Sequence, residues 1–177
     1  MMLASRDIKS SPAAMNPEMN KHQIPLRVLF VCTGNICRSP TAEGLARQLA
    51  VSLGVAERFE FDSAGTHAYH VGEAPDQRAR KAARARGYDL SALRARMVEP
   101  EDFERFDLIL AMDRSHLVYL QRICPQHLAH KLDLFLNQSR RFAGQDLNDP
   151  YYGGPEGFEV VLDQCEDALR EMFARRA

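Results

Sequence analysis

The 177-residue sequence predicts an α/β fold built on a parallel sheet, and three observations carry that reading. The run Val28-Leu-Phe-Val31 is short, apolar and made of β-type residues, as expected of a strand covered on both faces. Soon after it, Ser39-Pro40 reads as an N-cap followed by proline at the first helical position, opening a helix over Thr41–Leu53. A second apolar run, Asp107-Leu-Ile-Leu-Ala-Met112, leads directly into Asp113, a suitable N-cap for a helix over Arg114–Arg122. A strand followed by a helix, twice over, is how parallel strands are joined.

The remaining elements fall into that scheme in chain order. Residues 1–24 hold Met, Ser, Asn, Lys and proline with no sustained period and are expected to be a flexible tail or to reflect a different start site, leaving 25–177 as one domain. Phe59-Glu-Phe61-Asp62 alternates as a strand does, and Asp62-Ser63-Ala-Gly65-Thr66 is expected to close it as a turn. The segment from Pro75 to Arg86 has high helix propensity and is strongly basic, ending at Gly87. Its basic face is expected to be solvated; the other reading is a weak guide for acidic partners. A short helix is expected over Glu99–Phe106, a last strand over Leu132–Leu136 and a polar connection over Asn137–Gln145. In the final helix Phe158, Val161, Leu162, Cys165, Leu169 and Met172 form one apolar stripe, which makes Cys165 a packing residue. The strands number four.

Composition narrows the functional classes. A net charge of −1 and an apolar fraction of 45% give no electrostatic reason to expect a nucleic-acid partner. No apolar run is long enough to cross a bilayer, so no membrane partner is expected. Four scattered cysteines do not form a disulfide framework, which points to a reducing compartment, the cytoplasm.

The chemistry is concentrated in Cys32-Thr33-Gly34-Asn35-Ile36-Cys37-Arg38-Ser39, between the first strand and its helix. Ligands of open α/β sheets bind at that end of the strands. Successive backbone N–H groups curling around a centre, with a helix amino terminus behind them, make an anion site, and Gly34 and Asn35 tolerate the positive φ such a curl needs. A sulfur in that field is favoured as the thiolate, which is the nucleophile. Arg38 presents a planar fork that grips two phosphate oxygens, and Ser39 can donate its hydroxyl to the sulfur. Cys32, the loop 33–39 and Arg38 together suit attack on a phosphate ester with a cysteinyl-phosphate intermediate, with no cofactor and no metal.

Such cleavage also needs a proton for the leaving oxygen. Asn148-Asp149-Pro150-Tyr151-Tyr152-Gly153-Gly154 is a loop whose proline and glycines fix its shape, and Asp149 is the expected general acid. Tyr151 and Tyr152 are expected to form the apolar sides of a slot deep enough for an aryl ring. Cys37 has three readings: half of a zinc site, which lacks a second Cys/His pair; a packed neutral thiol; and, preferred, a resolving thiol that traps oxidised Cys32 as a disulfide.

The run Val-Cys-x-Gly-Asn-x-Cys-Arg-Ser-Pro, with Asp149-Pro150-Tyr151-Tyr152 downstream, resembles the low-molecular-weight protein tyrosine phosphatases from about Leu26 to the last helix. The resemblance implies a doubly wound four-stranded sheet with helices on both faces and a phosphate-binding loop after the first strand. The implied activity is hydrolysis of phosphotyrosine in proteins by two displacements, from a monomer or weak dimer. It also implies that the loop His67-Ala-Tyr69-His70 walls the substrate cleft, with Tyr69 against the substrate ring. The bland reading of Tyr69 as a half-buried loop residue stays open, and His67 and His70 are expected to be solvated. The family braces the loop asparagine with a serine, here Ser63, and a histidine. Leu93 stands where that histidine is expected, so the brace of Asn35 is expected to be partial. The family also carries an acid at Asp113, although its N-cap role suffices.

Two neighbouring activities are disfavoured. In the family a protein-arginine phosphatase goes with threonine at the position of Ile36. A thiol-dependent arsenate reductase needs further redox cysteines in mid-chain, and none lies between Ala83 and Leu110.

Overall fold

A computed structural model describes residues 24–176. Apart from Ile24, the tail expected over 1–24 lies outside the described residues. Four parallel strands, β1 (Leu26–Cys32), β2 (Phe59–Gly65), β3 (Leu108–Ala111) and β4 (Leu132–Leu134), form one sheet in the order β2-β1-β3-β4. Five α-helices join and cover them: α1 (Arg38–Ser52), α2 (Gln77–Ala85), α3 (Pro100–Arg105), α4 (Arg114–Ile123) and α5 (Pro155–Arg176).

The two-residue period of β1 splits the interior into two cores. Val28, Phe30 and Cys32 face a cluster containing Leu45 and Leu49 of α1 and Leu162, Leu169 and Phe173 of α5. Leu29 and Val31 face the opposite cluster, with Phe103 of α3 and Leu120 of α4. All five residues of β1 from Val28 to Cys32 are buried, which is why the run reads as continuously apolar rather than alternating. The chain leaves β1 toward β2 on one side and later returns as β3 on the other. The loop after β1 therefore opens at the point where strand order reverses, the place where a crevice forms in such sheets.

Several local expectations are corrected. Ser39 is not the N-cap of α1. Cys37 occupies that position without a side-chain cap, the helix starts at Arg38, and the hydroxyl of Ser39 is turned to Cys32. Ser63 to Gly65 do not form a turn: β2 continues to Gly65, whose N–H donates to the carbonyl of Arg96. β4 is shorter than expected, because Phe135–Gln138 wind into a 3-10 turn. α2 is capped by Asp76, whose side chain accepts from the N–H of Arg78, and ends at Ala85 with Arg86 as its C-cap and Gly87 following at φ +88°.

The basic face of α2 is only partly a solvated surface. Arg86 crosses to α5, where it meets Glu159 and Asp163, and Arg78 reaches the loop before α5.

Candidate active site

Cys32 ends β1 at the floor of a cleft of about 190 Å³. The backbone that follows is pinned from β2's side: the N–H of Thr66 donates to the carbonyl of Cys32 at 2.9 Å, and that of His67 to Thr33 at 3.0 Å. Gly65 lies directly beneath. A Cβ there would stand 2.7 Å from the Thr33 carbonyl oxygen and 3.2 Å from the Asn35 nitrogen, so a side chain would push the loop outward. Gly65 escaped the sequence reading because a glycine at a strand end also suits a turn.

Asn35 turns the loop back with φ 56°, in the left-handed region that asparagine tolerates. Its side-chain amide is fully used. Nδ2 donates to Ser39 Oγ at 2.8 Å and to Ser63 Oγ at 2.9 Å, while Oδ1 accepts from the N–H of Arg96 at 2.9 Å. Ser63 in turn donates to Glu43 Oε2 at 2.6 Å, and Arg47 donates twice to Glu43 Oε1. Burial raises the pKa of Glu43, against the opposing hydrogen bonds from Ser63 and Arg47. The partial brace expected from Leu93 is thus corrected. Leu93 packs against the larger core, and a backbone N–H with a buried carboxylate behind the serine completes the support of Asn35.

The Cys32 Sγ lies 3.0 Å from Ser39 Oγ. Arg38 is 3% exposed, and its Nη1 donates to Asp113 Oδ2 at 2.7 Å and to the Leu147 carbonyl at 2.8 Å. Its Nη2 stands 3.4 Å from Asp149 Oδ2. Asp113 therefore serves twice: Oδ1 caps α4 through the N–H groups of Ser115 and His116, and Oδ2 aims the guanidinium. Burial opposes its charge, but hydrogen bonds from Ser115 and Arg38 hold the carboxyl below the usual range. The sequence does not reveal this second role, because a cap alone accounts for aspartate at that position.

Thr33 Oγ1 meets His116 Nε2 at 2.7 Å, beneath the cleft. His116 is buried, which pushes its pKa down to about 4 against the pull of Asp113, so a neutral ring supports the loop. Nothing in the sequence marks His116, which lies within the span expected for α4.

Cys32, Thr33, Gly34, Ile36, Cys37, Arg38, Tyr69, Asp149, Tyr151 and Tyr152 all line the cleft. Asn35, Ser39 and Ser63 lie behind it. Burial raises the Cys37 thiol far above its ordinary value, so it is held as a neutral thiol. Tyr69 and Tyr152 are 73% and 91% exposed and stand at the rim, whereas Tyr151 is 39% exposed and packs edge-on to Tyr152. Tyr69 stacks on His67 with ring centroids 5.1 Å apart. His70 is not simply solvated. It lines the cleft, bonds Glu73 at 2.8 Å, and sits so near Gly34 that a Cβ there would be 2.9 Å from its ring.

A cysteine and an arginine with five residues between them, closing a loop at the reversal point of a four-stranded parallel sheet, define a phosphate-loop α/β protein. The sequence profile described as low molecular weight phosphotyrosine protein phosphatase matches residues 27–176. A low molecular weight protein-tyrosine-phosphatase of Streptomyces coelicolor is 42% identical over 151 residues, covering 84% of this chain and 92% of the relative. The low molecular weight phosphotyrosine protein phosphatase of Homo sapiens is 42% identical over 149 residues, covering 84% and 94%. A crystal structure of a protein tyrosine phosphatase from Entamoeba histolytica superimposes with a TM-score of 0.81 at 37% identity, covering 85% and 96%. The chain belongs to the low molecular weight protein-tyrosine-phosphatase family, a family of hydrolases.

Proposed function

We propose that this protein hydrolyses phosphotyrosine in protein substrates by two displacements at Cys32. In the first, the Sγ attacks phosphorus, the P–O bond to the phenol breaks, and Asp149 gives its proton to the departing oxygen. Arg38 and the backbone N–H groups of 33–38 hold the three remaining oxygens through the transition state. In the second, water attacks the phosphocysteine, the carboxylate of Asp149 takes the water's proton, and the sulfur leaves while Ser39 stabilises its charge. The observation that carries this reading is the convergence of three groups on one cleft. A sulfur lies at the floor, a buried guanidinium is beside it, and a carboxylate stands 3.4 Å from that guanidinium at the mouth. Ile36 and the tyrosines give the mouth an apolar lining that suits an aryl ester.

One preparation assayed on phosphotyrosine, on phosphoarginine and on arsenate with thioredoxin tests the proposal. Turnover is expected on phosphotyrosine, with release of inorganic phosphate. Faster turnover on phosphoarginine, or arsenate reduction without ester hydrolysis, would replace it.

Cys37 is the proposed resolving thiol. Peroxide converts the Cys32 thiolate to a sulfenic acid, and the Cys37 sulfur displaces water from it to leave a disulfide. The protein inactivated by peroxide is expected to regain most activity on treatment with dithiothreitol, and Cys37→Ser to recover little. Equal recovery in both would remove this role.

A further inference from the structure

Asp149 lies on a segment with few ties to the rest of the molecule. Within 149–154 the hydrogen bonds are local: the N–H of Tyr151 donates to Asp149 Oδ1 at 3.0 Å, and that of Gly153 to the Pro150 carbonyl at 3.2 Å. Besides the N–H of Gly157 at the start of α5, which donates to the Gly154 carbonyl at 3.1 Å, and the 3.4 Å ion pair from Arg38 Nη2 to Asp149 Oδ2, this segment is reached by Arg78, whose Nη1 donates to the Tyr151 carbonyl at 2.9 Å.

The same guanidinium is fixed from behind. Nε and Nη2 of Arg78 donate to the two oxygens of Asp76 at 3.0 and 2.9 Å, and its plane packs over the rings of Tyr151 and Phe158, 5.2 and 4.9 Å from their centroids. Asp76 in turn is anchored to the nucleophile's own loop, because its N–H donates to the Ile36 carbonyl at 2.7 Å. The hydrogen bond from Arg78 lowers the Asp76 pKa, which keeps the pair ionised over the physiological range. A continuous path therefore runs from the phosphate loop through Asp76 and Arg78 to Tyr151 and Asp149. α2 does not merely flank the cleft; its first turn joins the two loops that must act together.

We propose that Arg78 is a positioning residue that holds the Asp149 loop in register with the Cys32 loop, so that the proton donor meets the leaving oxygen. It touches neither the nucleophile nor the phosphoryl group, so it acts through Asp149. The proposal rests on the reading of Asp149 as the general acid. A bidentate fork with a third donor to spare is needed to bind Asp76 and the Tyr151 carbonyl at once, which lysine cannot supply.

The test exploits the fact that assistance from an acid matters most when the leaving oxygen is basic. Values of kcat/KM, which cover binding and the first displacement, are to be measured for aryl phosphates whose phenols range from acidic to basic. The proteins are the parent, Arg78→Met, Arg78→Lys, Asp149→Asn and Asp149→Asn combined with Arg78→Met. Methionine keeps apolar contact with Tyr151 and Phe158 but has no donor. Arg78→Met is expected to lose about tenfold on the most basic phenol and less than about twofold on the most acidic, with Arg78→Lys close to it. In the Asp149→Asn background the Arg78 change is expected to add nothing. An equal loss on every leaving group, full rescue by lysine, or an undiminished further loss in the double variant would overturn the positioning role. A leaving-group dependence in Asp149→Asn but not in Arg78→Met would overturn it alone. A flat profile in Asp149→Asn itself would remove the acid assignment and the Arg78 role with it.

Discussion

Cys32→Ser is expected to abolish turnover of phosphotyrosine, a loss on the order of 10⁴-fold or more, with the fold unchanged. The change replaces sulfur, the stronger nucleophile, with a hydroxyl that is weak without a base to activate it. It also replaces a good leaving group with a poor one, so even a phosphoryl group transferred to serine would not come off. Packing offers no competing explanation. The Cys32 side chain is 3% exposed, but its Sγ already faces the Ser39 hydroxyl at 3.0 Å, so an oxygen there keeps a hydrogen-bond partner. Inorganic phosphate should still bind to Cys32→Ser, because Arg38 and the backbone of the loop are untouched. Steady-state kinetics on phosphotyrosine, with phosphate binding followed by calorimetry, separates loss of chemistry from loss of the site. Turnover within tenfold of the parent would end the case for a sulfur nucleophile.

The residues that make chemistry possible were legible because their types are costly or useless elsewhere. An arginine in a cysteine-containing loop just after the apolar run Val28–Val31 has few structural uses, and the reversal of strand order places that loop in a crevice. What was not legible is the support, because residue type there has an ordinary explanation. Asp113 suffices as a cap, His116 as a helical residue, Gly65 as a turn glycine and Arg78 as one of several basic residues on α2. Their second roles depend on distance across the fold: Asp113 to Arg38 spans 75 residues of sequence, and Arg78 to Tyr151 spans 73. The brace of Asn35 makes the same point from the other side. The family resemblance implies a histidine where Leu93 stands, but could not show that the Arg96 N–H would turn toward Asn35 Oδ1, since backbone donors carry no residue signature. The start of α1 is hidden in the sequence for a related reason. Ser39 has the chemistry of a cap, and the fold spends that hydroxyl on sulfur instead.

Asp149→Ala is expected to lower kcat by about 10²- to 10⁴-fold on phosphotyrosine while KM stays level or falls. The direction for KM follows from geometry. Asp149 Oδ2 lies 3.4 Å from Arg38 Nη2, so the carboxylate competes with the incoming phosphoryl oxygens for the same cation. Removing it leaves Arg38, which remains aimed by Asp113 and the Leu147 carbonyl, more available to the anion. Alanine also removes the acceptor for the Tyr151 N–H, but that group is at an exposed turn where water can replace it. Both displacements should slow, since the phenol loses its proton donor and the attacking water loses its base. The first should recover as the phenol is made more acidic, whereas the second should not, because the leaving aryl group has already gone. Rapid-quench measurement of phenol release and phosphate release on a series of aryl phosphates therefore distinguishes the two roles of one carboxyl. With an acidic phenol, Asp149→Ala should give a burst of phenol followed by slow phosphate, and with a basic phenol no burst. Unchanged kcat would overturn the assignment of Asp149, and a fall independent of the phenol in both steps would assign it to binding or structure rather than to proton transfer.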